Sequence, residues 1–350
     1  MNVRLFLLAV LLAAPALAQG FAGLGQGSEG FAIPEHRPLS FPRDHGPHPD
    51  FRIEWWYLTA TLRGADGAEY GAQWTLFRTA LSPGGGEGWS SPQLWMGHAA
   101  VTTATDHRFA ERLGRGGIGQ AGVTAEPFEA WIDDWQMTGR AGPGADVLSA
   151  LDVRAGGAGF SYALSLDATG PIVPQGEMGY SVKSPEGQAS HYYSQPFYRV
   201  RGELLLDGAA IPVTGEAWLD REWSSQPLAA DQTGWDWFSL MFDTGARLMG
   251  FRIRDAGAGY TVATWIAPDG TPTPMQPGAM AVTPLREARV AGHAVPVVWR
   301  VELPEKAIDV RVEALNPQAW MATSVPYWEG PIRISGSHTG RGYLEMTGYD

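Results

Sequence analysis

The chain has 350 residues, 44% hydrophobic and 18% charged, with a net charge of −12, 15 Trp and no Cys. Those proportions describe a globular chain long enough for two cored domains. The negative balance, without any basic stripe, argues against nucleic acid and anionic membrane surfaces as partners, and the lack of Cys excludes disulfides and thiolate chemistry.

The chain opens like a secretory signal. Arg4 supplies the positive charge, Leu5 to Leu12 the apolar run, and Ala16-Leu17-Ala18 a small-residue cleavage site before Gln19. That run is too short to span a bilayer, and no later segment is long enough. With no Cys after the site there is no lipid anchor, so the expectation is a periplasmic or secreted protein without a transmembrane segment. Residues 19–34 read as a flexible Gly-rich lead. Pro34, Pro38, Pro42, Pro47 and Pro49 then mark an extended arm.

From Phe51 onward apolar residues alternate over short windows, the period of strands. Asp66-Gly67 turns the first hairpin, Asp207-Gly208 a later one, and Pro268-Asp269-Gly270 another. No long stripe at a period near 3.6 is present. The fold class is therefore all-β, sandwich or barrel.

One passage occurs twice. Glu54-Trp55-Trp56-Tyr57-Leu58 leads to Trp74-Thr75-Leu76-Phe77-Arg78, and Trp235-Asp236-Trp237-Phe238-Ser239 leads to Leu248-Met249-Gly250-Phe251-Arg252. The endings also match: Tyr192-Tyr193-Ser194-Gln195-Pro196 and Tyr327-Trp328-Glu329-Gly330-Pro331 each precede one more hairpin. The repeat is too long for a solenoid unit and predicts two copies of one domain, 35–230 and 231–350. Trp56 should match Trp237, and Tyr192 should match Tyr327.

Four segments, in this order, resemble the AttH-like and carotenoid-hydratase (CrtC-like) family, whose members are often labelled secreted hydrolases: His48-Pro49-Asp50-Phe51-Arg52-Ile53-Glu54-Trp55-Trp56-Tyr57, Ala217-Trp218-Leu219-Asp220-Arg221-Glu222-Trp223-Ser224-Ser225-Gln226-Pro227-Leu228, Gly234-Trp235-Asp236-Trp237-Phe238 and Tyr327-Trp328-Glu329-Gly330. The resemblance runs from about residue 35 to the end. It implies two tandem lipocalin-like antiparallel β-barrels that bind a hydrophobic small molecule, in a family whose branches include hydratases of isoprenoid double bonds. The hydratase branch carries His-x-Trp where this chain has Arg221-Glu222-Trp223. It also carries a Tyr and an Asp on the strand that here reads Met249-Gly250-Phe251-Arg252-Ile253-Arg254.

Carboxylates beside aromatic residues are the candidate catalytic groups: Asp220 and Glu222 beside Trp223, and Asp236 between Trp235 and Trp237. Burial against rings raises a carboxyl pKa and makes a proton donor; the same groups could equally be locked in ion pairs with Arg221, Arg247 or Arg252. Asp220 and Glu222 should share one face of a strand, with Arg221 on the other. Glu54, Trp55, Trp56, His98, Tyr193, Trp223, Trp235, Trp237, Tyr327 and Trp328 are the candidate ligand-binding residues. No motif for a cofactor, a metal or a hydrolase nucleophile is present. The expected function is binding of an elongated apolar molecule, isoprenoid or lipid, with hydratase- or isomerase-type chemistry at a C=C bond. The alternatives are a carrier or accessory protein linked to an envelope lipid or membrane transport system and, more weakly, a secreted hydrolase.

Overall fold

The computed structural model describes residues 28–349. The expected signal and most of the lead lie outside the described residues. Two antiparallel sheets make up the molecule. The first contains β1 (Ile53–Gly64), β2 (Glu69–Ala80), β3 (Gln93–Thr103), β4 (His107–Arg115), β5 (Ala121–Ala125), β6 (Phe128–Ile132), β7 (Trp135–Gly139), β8 (Ala150–Gly157), β9 (Phe160–Ala168), β10 (Val173–Pro174), β11 (Tyr180–Val182), β12 (Ala189–Leu206) and β13 (Ala209–Ser224). The second contains β14 (Gly234–Phe242), β15 (Arg247–Arg254), β16 (Tyr260–Ile266), β17 (Pro272–Pro274), β18 (Ala281–Val290), β19 (His293–Leu303), β20 (Ile308–Ala314), β21 (Trp320–Met321), β22 (Tyr327–Gly336) and β23 (Gly340–Thr347). Among the described residues no helix is long and apolar enough to cross a membrane.

Strand order carries the duplication. The first sheet runs β4-β3-β2-β1-β13-β12-β9-β8-β7-β6-β5, the second β17-β16-β15-β14-β23-β22-β20-β19-β18. In both, the first strand of the unit pairs with the last, and the rest unfold outward in the same sequence. The first sheet is a nearly closed barrel, whereas the second is a half-barrel. This is the all-β, duplicated antiparallel barrel architecture expected from sequence, with the second barrel the more open of the two. A cause is visible at the edge: β17 is three residues long, with Pro272 and Pro274 at its ends. Neither proline can donate to a further ladder.

The barrel wall facing the second sheet is buried on both sides. Along β1, Trp56, Leu58, Ala60 and Leu62 fill the barrel, while Ile53, Trp55 and Tyr57 pack outward against Trp237, Met249, Phe251 and Tyr343 of the second sheet. This is why β1 reads as nearly continuous hydrophobic sequence. On β14, Phe238 and Leu240 fill the half-barrel, while Trp235 and Trp237 point to the first sheet. The Asp207-Gly208 turn between β12 and β13 has positive φ at both residues, 48° and 83°, the backbone of a two-residue hairpin of the primed type.

The proline-bearing arm closes one end of the barrel. Trp56 donates through Nε1 to the His45 carbonyl at 2.8 Å. His45 also bonds Tyr193 at 2.7 Å and Asp146 at 3.1 Å. Beneath it, the buried Glu54 carboxylate pairs with Arg78 and Arg221. Burial opposes its ionisation, but the two guanidiniums prevail and hold the carboxyl below the ordinary range.

Candidate functional site

The outward face of β1 and β13 and the facing side of β14 and β23 do not close fully on each other. They leave a cavity of about 240 Å³, bounded also by β2, β3, β15, the start of β22 and the Pro227-Leu228 linker. Its wall is largely aromatic: Trp55, Tyr57, Phe77, Tyr192, Trp235, Trp237, Phe251 and Tyr327 all line it. The duplication shapes it. Trp55 stands opposite Phe77 across β1–β2, and Trp237 opposite Phe251 across β14–β15. Thus Trp55, and not Trp56, is the counterpart of Trp237, one residue away from the register expected from sequence. At the other ends, Tyr192 faces Glu222 but Tyr327 faces Thr347, and it is Glu329 that faces Glu345. The Tyr192–Tyr327 match is therefore shifted by two residues, which leaves both on the cavity side.

Asp220 and Glu222 do share a face of β13, as strand parity requires. Both line the cavity, while Arg221 turns into the barrel to meet Glu54. Asp220 is buried from bulk solvent. Its Oδ2 accepts from the Tyr192 hydroxyl at 2.6 Å, and its Oδ1 accepts from Trp218 Nε1 at 2.6 Å and from Ser194. Among the described residues no Lys or Arg forms an ion pair with it. Desolvation therefore outweighs those donors, and its pKa rises to about 7. Tyr192 in turn accepts from Trp237 Nε1 at 3.1 Å, so one hydrogen-bonded chain runs from the second sheet through Tyr192 to Asp220.

Glu222 has a different environment. Lys183 Nζ lies 2.7 Å from its Oε1, and Ser190 donates to the same oxygen. Lys183 also stands over the rings of Phe251 and Tyr192, at 4.2 and 4.8 Å. The cation paired with Glu222 is thus Lys183 rather than Arg221, Arg247 or Arg252.

Across the cavity, Glu345 accepts from Trp235 Nε1 at 2.6 Å, and desolvation first, with Asp220 nearby, raises its pKa to about 7. Behind it Glu329 accepts from the Tyr57 hydroxyl at 2.6 Å, and burial raises it well above the carboxylate range. His98 lines the β3 side. Its Nδ1 is 2.9 Å from the Tyr327 hydroxyl and its Nε2 is 3.2 Å from Glu111.

Of the expected site residues, Asp220, Glu222, Trp55, His98, Trp235, Trp237 and Tyr327 come together here. Six do not. Asp236 faces away, held by Arg252 at 2.8 Å, Arg254 at 2.6 Å and Tyr349 at 2.8 Å. Glu54 sits in the ion-pair cluster at the barrel end; Trp56, Tyr193 and Trp223 belong to the barrel core, and Trp328 to the half-barrel core. The cavity also holds Tyr57, Lys183, Tyr192 and Glu345, which sequence reasoning did not place there. An acid inside an apolar strand was the available signal for Glu345 and Glu329. Nothing in the sequence pointed to Lys183. Among the described residues no group of three His, Cys, Asp or Glu is placed to hold a metal ion.

A family model for AttH-like proteins matches residues 32–349. A crystal structure from Nitrosomonas europaea assigned to AttH is 32% identical, with a TM-score of 0.80, over 91% of this chain and 99% of that one. Kievitone hydratase from Nectria haematococca shares the fold at 15% identity and a TM-score of 0.68, over 91% of this chain and 98% of that one. CghA in complex with Sch210972 does so at 13% and 0.58, over 93% and 98%. No curated protein sequence matches significantly. The family match over nearly the whole chain, with a relative 32% identical over 91% of it, leads to one conclusion: this chain belongs to the AttH-like family.

Proposed function

We propose that the cavity takes an unsaturated apolar small molecule and adds water across one of its C=C bonds, with Asp220 as the proton donor. One observation carries this reading. Asp220 is a buried carboxyl with a pKa near 7, on an aromatic wall, with no cation paired to it among the described residues. Half-protonated at neutral pH, it can give a proton to an alkene carbon. The rings of Trp55, Trp237 and Tyr192 face the cationic carbon that results. Water then adds to that carbon and loses a proton. A carrier would need only apolar area; Glu222, by contrast with Asp220, is paired with Lys183. The name of kievitone hydratase, a neighbour in fold, is in keeping with this chemistry.

The size of the cavity limits the substrate. At about 240 Å³ it lies below the usual range of roughly 300–1,000 Å³ for enclosed ligand sites. A single isoprenoid end or a compact prenylated ring fits that space better than a whole carotenoid, whose remainder would protrude. Reaction in the periplasm or outside the cell follows from the N-terminal signal, and N-terminal sequencing of protein from its own host checks that placement.

The test is incubation with geraniol, a prenylated phenol and lycopene in H₂¹⁸O, with products read by mass spectrometry. Incorporation of ¹⁸O into at least one probe, lost in Asp220→Asn with the fold retained, is the expected result. No labelled product from any of the three sinks the hydratase reading and leaves the carrier.

A further inference from the structure

We infer that Glu111, His98 and Tyr327 form a proton-accepting triad in which Tyr327 takes the proton of the water that adds. The assignment rests on the hydratase reading for its substrate, but its geometry stands apart from Asp220. Tyr327 and His98 both line the cavity, on β22 and β3, so the pair spans the two sheets. The Tyr327 hydroxyl meets His98 Nδ1 at 2.9 Å, and Glu111 meets Nε2 at 3.2 Å. Glu111 is itself fixed, accepting from the Ser324 amide at 2.9 Å and the Ser324 hydroxyl at 2.7 Å. A nucleophile or base, a histidine, and an acid that orients it is the general arrangement for drawing a proton off a hydroxyl.

The tautomer follows from the partners. The hydrogen bonds from His98 and Ser324 hold the Glu111 carboxyl down at about 2, against burial, so it is a carboxylate and accepts only. His98 Nε2 must then carry the hydrogen, and Nδ1 is left as the acceptor of the Tyr327 O–H. Burial keeps the ring neutral by lowering its pKa, against the pull of Glu111. The titratable groups around it are Glu111 on β4 and Tyr327 on β22, with Glu329 acting on Tyr327 from the same strand.

The proton balance closes. Asp220 gives its proton to one alkene carbon. Water forms a C–O bond at the other, and as it does so passes one hydrogen to Tyr327 Oη while the phenolic hydrogen moves to His98 Nδ1. His98 is then an imidazolium beside the Glu111 carboxylate. Release of that proton to solvent past Glu111, whose side chain is 21% exposed, and uptake of one by Asp220 restore the site.

The chain contains its own control. Asp146, His45 and Tyr193 repeat the arrangement, with His45 bonded to Tyr193 at 2.7 Å and to Asp146 at 3.1 Å. That trio sits between the arm and the barrel core and lines no part of this cavity.

The experiment uses full-length protein labelled with ¹⁵N-histidine, with the His98 signals assigned by their loss in His98→Gln. At neutral pH the ring nitrogen shifts should report a neutral imidazole protonated at Nε2. Glu111→Gln should abolish that preference and Glu111→Asp should restore part of it. A ring protonated at Nδ1, or a tautomer indifferent to Glu111→Gln, overturns the triad whether or not any probe turns over. For a probe that does incorporate ¹⁸O, Tyr327→Phe should lower kcat at least 100-fold with KM within about threefold. Tyr193→Phe should lower the melting temperature and leave kcat unchanged. A Tyr327→Phe enzyme within threefold of wild type overturns the triad and leaves Asp220 as the acid; loss of turnover in Asp220→Asn alone therefore separates the two readings.

Discussion

Glu54 and Asp236 occupy the same position in two copies of one hairpin. Glu54 stands opposite Arg78 across β1–β2, and Asp236 opposite Arg252 across β14–β15. Each is fully buried and held by two arginines, Arg78 and Arg221 for the first and Arg252 and Arg254 for the second. The duplicated acid is thus a fastening of the hairpin to its own sheet. The aromatic residue that follows it, Trp55 or Trp237, is what each copy contributes to the cavity.

Removing the charge should therefore affect stability and not binding. Glu54→Gln leaves Arg78 and Arg221 without a counter-charge inside the barrel end, which costs about 3–5 kcal/mol. Urea unfolding should show that loss, while quenching of the cavity tryptophans by an apolar ligand stays as in wild type. A ligand-affinity change of tenfold or more in a folded Glu54→Gln protein would return Glu54 to the site.

The hairpins, the duplication and the shared face of Asp220 and Glu222 were legible because strand parity and turn residues are local. The role of Asp236 was not. It sits between two cavity tryptophans in sequence, but period two sends it to the opposite side of β14, where Arg252 and Arg254 wait. Trp56 and Trp223 failed for the same reason, since a strand buried on both faces gives no polar positions to reveal which face is which. Glu345 comes from the second sheet, and only the docking of one sheet on the other brings it beside Asp220; Lys183 reaches Glu222 from the end of β11, and Glu111 stands directly across the β3–β4 hairpin from His98.

That docking depends on a bare backbone. Gly71 on β2 faces β22 and β23, and a Cβ there would lie 2.7 Å from the Pro331 ring and from the Tyr343 hydroxyl. Gly71→Val should force the sheets apart, at about 1–3 kcal/mol for overpacking. Trp55, Trp235 and Trp237 should then show red-shifted fluorescence as water enters. Gly85→Val, where an added Cβ meets nothing within 4 Å, should stay within about 0.5 kcal/mol. Equal behaviour of the two variants would remove Gly71 from the interface argument.

Lys183 and Glu222 form a nearly buried pair beside the Asp220 carboxyl, with side chains 8% and 6% exposed. Lys183→Met strands the Glu222 carboxylate and should cost about 3–5 kcal/mol. Glu222→Gln strands the ammonium, although the rings of Phe251 and Tyr192 still face it. Combining Lys183→Met with Glu222→Gln should recover much of the loss, because neither charge then remains. Additive single and double effects in denaturant unfolding would mean the two groups do not sense each other.

Buried carboxyls and buried histidines pull the pH dependence of stability in opposite directions. Asp220 and Glu345 have folded pKa values raised to about 7 from 3.8 and 4.5. Between those limits these two carboxyls, and Glu329 with them, hold protons in the native state that the unfolded chain has lost, so their contribution falls as pH rises from about 4 to about 7. His107 and His191, lowered to about 4 by burial, contribute stability that rises over the same range. Glu54 and Asp44 are shifted the other way, by their arginine and histidine partners against burial, and Glu111 is lowered to about 2. Their contribution is lost as pH falls below about 4, so stability rises with pH there. Asp220→Asn combined with Glu345→Gln removes two of the carboxyls whose contribution falls with pH, so the change in melting temperature from about pH 4.5 to about pH 7.5 should become more positive than in wild type. A double variant that keeps the wild-type slope would show that Asp220 and Glu345 titrate as ordinary carboxyls, and Asp220 would lose its claim to be the acid.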